Sequence, residues 1–177
     1  MNFLLMASNF AAKKHRDQRR KDDIQSPYIN HPIAVANVLA NEAGVTNENL
    51  LIAALLHDTI EDTETSGDEI KSVFGEAVLK LVMEVTDDKS LEKADRKRLQ
   101  VESAPKKSEL ARQLKIADKI CNIRDITADS PAGWNQQRKS EYLDWGQAVV
   151  AGCAGVNLKL DQLIASEIQK ARTRIEG

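Results

Sequence analysis

Apolar residues recur every three to four positions along most of the chain, the period of an amphipathic helix. Ile70, Val73/Phe74, Ala77/Val78, Leu81/Val82 and Val85 form one such stripe. Gly75 interrupts its register and predicts either two helices meeting there or one helix with a weak point. Residues 50–56 (LLIAALL) are apolar on every side, as expected of a helix buried in the middle of a bundle. Asn47 and Asn49 are candidate caps before it, and the polar run Thr63-Glu64-Thr65-Ser66-Gly67 follows it. Pro32 suits the first position of a helix over 33–42, stopped by Gly44. Leu110, Leu114, Ala117 and Cys121 make a further stripe, widened by Ile116, Ile120 and Ile123. Leu160, Ile164, Ile168 and Ala171 make a last one. No stretch alternates apolar and polar residues with β-branched enrichment, so no strand is predicted. The expected fold is all-α, a compact helical bundle forming one domain over 1–177.

One segment departs from this pattern. Between Asp87 and Glu109, 13 of 23 residues are charged and Pro105 breaks the run. It reads as a solvated helix and linker, with a mobile flap over a site as the alternative. Composition adds bounds on function. The 177 residues carry 25 Lys+Arg against 27 Asp+Glu, a net charge of −2, without the basic excess of a nucleic-acid binder. The longest apolar run is nine residues (148–156), too short to span a bilayer, and residues 3–7 lack the basic flank of a signal peptide. Cys121 and Cys153 are too few for a disulfide framework and read as buried small apolar residues, so a cytoplasmic protein is expected.

The near-zero balance conceals two opposite clusters. Residues 13–21 (KKHRDQRRK) hold six Lys/Arg and one Asp, and residues 57–69 (HDTIEDTETSGDE) hold six Asp/Glu and no Lys/Arg. Unrelated solvated faces are the plain reading of charge alone. A phosphoester site is the other: carboxylates hold a cation while arginines and lysines hold phosphates. His57 and Asp58 follow directly on the buried apolar run, where charge is costly unless paired or bound to a metal. On one helix, His57/Glu61 and Asp58/Asp62 are i,i+4 pairs that stack on common faces. The chain has only three histidines, so further ligands are few: His31 before Pro32, and Asp118 within an apolar stripe with Asn122 one turn on. A lone Asp there is more often a salt-bridge or capping residue. His31, His57, Asp58 and Asp118 together would make a two-nitrogen, two-oxygen site, better suited to Mn, Fe, Co, Ni or Zn than to Ca or Mg.

The strings RRKD (19–22), PYINHP (27–32), AALLHDTIEDT (53–63), EVTDDKS (84–90), RKRLQVE (96–102) and KIADKICNIRD (115–125) make the pattern specific. In this order they resemble the HD-domain metal-dependent phosphohydrolases, and within them the hydrolase domain of RelA/SpoT-type alarmone enzymes. The similarity runs over about 11–150 and is greatest to the small stand-alone hydrolases of the metazoan SpoT-homologue type. The resemblance implies a hydrolase-only protein with His31, His57, Asp58 and Asp118 as metal ligands. It implies manganese as the usual ion, other divalent transition metals being possible. Glu61 and Asp62 match the catalytic pair, and Arg20, Lys21 and Asn122 match nucleotide contacts. The implied reaction removes pyrophosphate from the 3′ position of (p)ppGpp, giving GDP or GTP. Here Glu61 and Asp62, beside a cation, are expected to stay ionised and to orient or deprotonate water, while the basic cluster clamps phosphates.

Two other functions compete. One is the same chemistry on NADPH (its 2′-phosphate) or on 5′-nucleotides; the other is a helical module that senses nucleotide without turnover. His15 reads as a helix-end or surface histidine. Trp134, Tyr142 and Trp145 fall at helical spacing and read as packing residues rather than a base-stacking platform.

Overall fold

The computed structural model describes residues 2–128, 131 and 133–176. The described residues are helical apart from connections, the longest of them over residues 15–29, which holds one isolated bridge, Arg19 with Pro27. In chain order the helices are α1 (Phe3–Lys14), α2 (Asn30–Asn37), α3 (Glu48–Leu56), α4 (Thr59–Asp62), α5 (Gly67–Phe74), α6 (Glu76–Val85), α7 (Lys93–Ser103), α8 (Glu109–Ala128), α9 (Gln136–Cys153) and α10 (Leu158–Glu176).

α3 is the axis of one half of the bundle. Every residue from Leu50 to Leu56 is buried, and the helix is enclosed by α1, α2, α6 and α8. Asn47 caps it by accepting from Leu50 N (3.0 Å), so the first of the two candidate caps does the work. α8 is the axis of the other half, flanked by α2, α6, α9 and α10. Gly75 separates α5 from α6 as two helices, with φ at 88°, a conformation only glycine adopts freely.

Two boundaries differ from expectation. α2 begins at Asn30, because Asn30 N and His31 N bond back to Pro27 O and Tyr28 O. Pro32 therefore sits inside the first turn, where no intrahelical donor is lost. The helix then widens into a π-turn over Val38–Glu42 before Gly44. The second difference is at the site itself. The backbone leaves the helix at His57–Asp58 and resumes as α4, so the expected single helix through 57–62 is two. Thr59 Oγ1 and His57 Nδ1 both bond back to α3 carbonyls, Leu56 O (2.6 Å) and Ala54 O (2.8 Å), and close its end.

The charged stretch 87–109 contains α7, which buries none of its own residues. It lies against α9, where Trp145 Nε1 donates to Lys97 O (3.0 Å). The next turn, Ala104–Lys106, meets α9 so closely that a Cβ on Gly152 would lie 2.9 Å from the Ala104 Cβ.

Candidate active site

Four side chains from three core elements converge. His31 comes from the first turn of α2, His57 and Asp58 from the break after α3, and Asp118 from the middle of α8. His31 Nε2 is 3.2 Å from Asp118 Oδ1 and 3.7 Å from Asp58 Oδ2. His57 Nε2 is 3.0 Å from Asp58 Oδ2 and 3.9 Å from Asp118 Oδ1. Donor atoms of His31, His57 and Asp118 all lie within 4.8 Å of one another.

The chemistry of this cluster fits a divalent cation. Ala54 O can only accept, so His57 Nδ1 carries a proton and Nε2 is the nitrogen turned toward the carboxylates, the position for a second proton or a cation. That Nε2 is buried and has no aligned hydrogen bond. Burial alone would lower the His57 pKa, but the Asp58 and Asp118 carboxylates outweigh it and raise it to about 9. Burial pushes the two carboxylates the other way; His57 and His31 hold Asp58 below the usual range, and Lys119 with both histidines holds Asp118 well below it. A cluster that draws a proton onto a buried imidazole favours positive charge at that point.

Each carboxylate is fixed from behind. Tyr28 O–H donates to Asp58 Oδ2 (2.7 Å), and burial together with Asp58 raises the phenol pKa, keeping it a donor. Lys119 Nζ pairs with Asp118 Oδ2 (2.9 Å) and Asn122 Nδ2 donates to Oδ1 (2.6 Å). Asp118 is thus a salt-bridge residue and a member of the cluster at once. Tyr28 and Lys119 were not singled out from sequence, although both lie inside strings that were.

Glu61 and Asp62 lie on α4, one turn beyond His57 and Asp58. Asp87 N–H donates to Glu61 Oε2 (3.1 Å), Gln18 Nε2 donates to Asp62 Oδ2 (3.0 Å), and Lys89 ion-pairs with Asp62. Burial raises the Glu61 pKa, with the Asp87 N–H opposing it and Asp87, Asp58 and Asp62 adding to it. That upward push is what a carboxylate asked to take up a proton needs.

A cleft of about 680 Å³ opens beside His31 and Asp62, walled also by Arg20, Lys21, Tyr28 and Asn122 among others. Arg20 pairs with Asp125, lies 5.5 Å from the Tyr28 ring centroid and reaches Asn122 Oδ1 (3.4 Å). The basic cluster does not act as a unit, however. Lys14 pairs with Glu69, Arg16 with Asp17, and Lys13 lies exposed on the end of α1. Arg19, Arg20 and Lys21 are its members on the cleft. The acidic cluster divides likewise: Asp68 and Glu69 sit in the first turn of α5, where the helix dipole favours them. His15 ends α1 as expected but is buried, at 1% exposure, not on the surface. Tyr142 packs against Trp134 and Trp145 at 5.6 and 5.2 Å, and Trp134 and Tyr142 also wall the cleft.

The profile of the HD domain family matches residues 7–151. The chain belongs to the HD-domain family. Among HD-domain relatives, it is 53% identical over 161 residues to the human guanosine-3′,5′-bis(diphosphate) 3′-pyrophosphohydrolase MESH1, covering 91% of this chain and 90% of that one. The Drosophila melanogaster protein of the same name is 50% identical, covering 87% and 88%. The bundle superposes with a TM-score of 0.92 and 45% identity on a metazoan orthologue of SpoT, described as hydrolysing ppGpp and acting in starvation responses; 96% of this chain and 95% of that one are covered. No helix among the described residues is long and apolar enough to cross a membrane.

Proposed function

We propose that this HD-domain protein is a guanosine-3′,5′-bis(diphosphate) 3′-pyrophosphohydrolase. It converts (p)ppGpp and water to GDP or GTP and pyrophosphate. The observation that carries the reading is the convergence of His31, His57, Asp58 and Asp118 beneath a cleft walled by Arg20 and Lys21. The names borne by relatives at 50–53% identity supply the substrate.

His31, His57, Asp58 and Asp118 would hold one divalent ion, manganese in our reading. When bound, the ion supplies Lewis-acid polarisation of the attacked phosphoryl group and acidifies water. The chain does the rest. Glu61 accepts the proton of the attacking water, and Asp62 beside it orients that water. Arg20, Lys21 and Asn122 receive the nucleotide; the guanidinium neutralises phosphate and offers a flat face to the guanine. Tyr28 and Lys119 keep the two ligand carboxylates in place. Both cysteines are free and buried, in accord with a reducing compartment such as the cytoplasm.

The test is a product assay with guanosine tetraphosphate and manganese, with and without chelator, run beside NADPH and a 5′-nucleotide. GDP and pyrophosphate in stoichiometric yield, lost with chelator and regained with manganese, are expected. A kcat/KM that favours NADPH or the 5′-nucleotide would overturn the substrate assignment. Chelator-resistant turnover would overturn the metal site.

A further inference from the structure

His15 takes no part in the reaction as derived so far, yet it is the most enclosed of the three histidines, at 1% exposure. Its Nδ1 lies 2.6 Å from Gln18 Oε1, and Gln18 Nε2 in turn donates to Asp62 Oδ2 at 3.0 Å. The direction of this chain is fixed from its far end. Asp62 is ion-paired to Lys89, and an ionised carboxylate only accepts, so the Gln18 amide must present its nitrogen there. Its oxygen then faces His15, and the imidazole must carry its proton on Nδ1. Nε2 is left as a buried acceptor with no partner. The opposite tautomer would set two lone pairs against each other at 2.6 Å. The ring also lies on Tyr28, centroids 4.9 Å apart, and Tyr28 is the residue that donates to Asp58.

We propose that His15 is a positioning residue for the hydrolysis. Its Nδ1–H fixes the Gln18 amide, Gln18 fixes Asp62, and its ring backs the tyrosine that holds Asp58. The proposal rests on Asp62 acting in the reaction. An orphaned ring nitrogen in the core fits this role, because the single bond the His15 side chain makes is to the amide that holds Asp62. A histidine serving packing alone needs no particular tautomer.

The test separates the two claims. Asp62→Asn comes first: unchanged turnover would remove the premise, whatever His15 does. With the premise standing, His15→Phe keeps the ring and the stack on Tyr28 but has no donor. It should lower kcat roughly tenfold or more, with KM within about twofold, as expected for a misplaced catalytic group. His15→Asn restores an N–H at the Nδ1 position and should recover most of that loss. His15→Phe placed on Asp62→Asn should cost nothing further, since both act through one carboxylate. A readout independent of turnover is the long-range ¹H–¹⁵N spectrum of the chain, where three histidines make assignment simple. It should show His15 protonated on Nδ1 and bare on Nε2, and should lose that pattern in Gln18→Leu. Equal kcat for the Phe and Asn variants, or an Nε2–H tautomer in the native chain, would overturn the proposal. Thermal melts of each variant identify any that fail to fold, and for those the spectrum of the native chain decides.

Discussion

α3 and α8 are both core helices, and both deliver carboxylates to the same point by opposite means. α3 is apolar on all sides and contributes only after it has ended, through His57 and Asp58 at the break. α8 carries Asp118 in its middle and buries Lys115 and Lys119 beside it. At the helix end Asp58 meets Tyr28 and the two histidines, side chains that can give up charge or carry none. A helix middle offers nothing, and Asp118 is kept charged by a lysine that is itself 3% exposed. The lesson is that a buried carboxylate's neighbours follow from where its helix places it: at the terminus a hydroxyl and two imidazoles hold Asp58, in the interior a second buried charge holds Asp118.

The largest expected effect is at the helix end. Asp58→Ala should abolish metal content and turnover together, while its urea midpoint moves little, because an unopposed His57 can become neutral. Full turnover in metal-free Asp58→Ala protein would break the account of the cluster. Next, Glu61→Ala should retain the metal but lose about 10²–10⁴-fold in kcat; co-loss of the metal would make Glu61 a ligand rather than a base. Third, Lys119→Met strands the Asp118 carboxylate in the core and should cost about 3–5 kcal/mol in urea unfolding, much of it recovered in the Lys119→Met/Asp118→Asn double variant. If Asp58→Ala and Lys119→Met destabilise equally, the contrast between helix end and helix middle fails. The smallest effect lies further along α8, where Arg124 grips Glu42 at 2.8 Å on both oxygens near the surface. Arg124 holds the Glu42 carboxyl below its ordinary value of 4.5 against the opposing pull of burial. Its contribution is therefore present above that value and lost as pH falls through the lowered one. Glu42→Gln should destabilise by less than about 1 kcal/mol at neutral pH, and the difference should vanish in acid.

Much of this was legible in the residues themselves. Period-3.6 stripes located α6, α8 and α10, and the all-round apolar run located α3, because burial dictates those patterns directly. His57, Asp58 and Asp118 stand out as chemistry in or beside apolar runs, and His31 follows from there being only three histidines to choose among. The break at His57–Asp58 does not, since its cause is a pair of side chains bonding back to Leu56 O and Ala54 O rather than a glycine or proline. Nor does the division of the basic cluster, because Lys14 finds its partner Glu69 55 residues away. The pattern does not mark α1, because Ala7 and Ala11 bury its inner face with small residues that make a weak stripe.

The turn between α3 and α4 also governs how this chain can vary in length. Asp62 N bonds to Asp58 O and Thr63 N to Thr59 O, so the residues from Asp58 to Thr63 form one wound unit. Adding a single residue to it would rotate everything beyond by about 100° and carry Glu61 and Asp62 away from the ligand cluster. Between Lys21 and Ser26, by contrast, the chain runs outside the bundle, and an insertion there lengthens a loop. Two adjacent stretches of the same site thus differ in kind: one admits gaps and the other admits only substitutions.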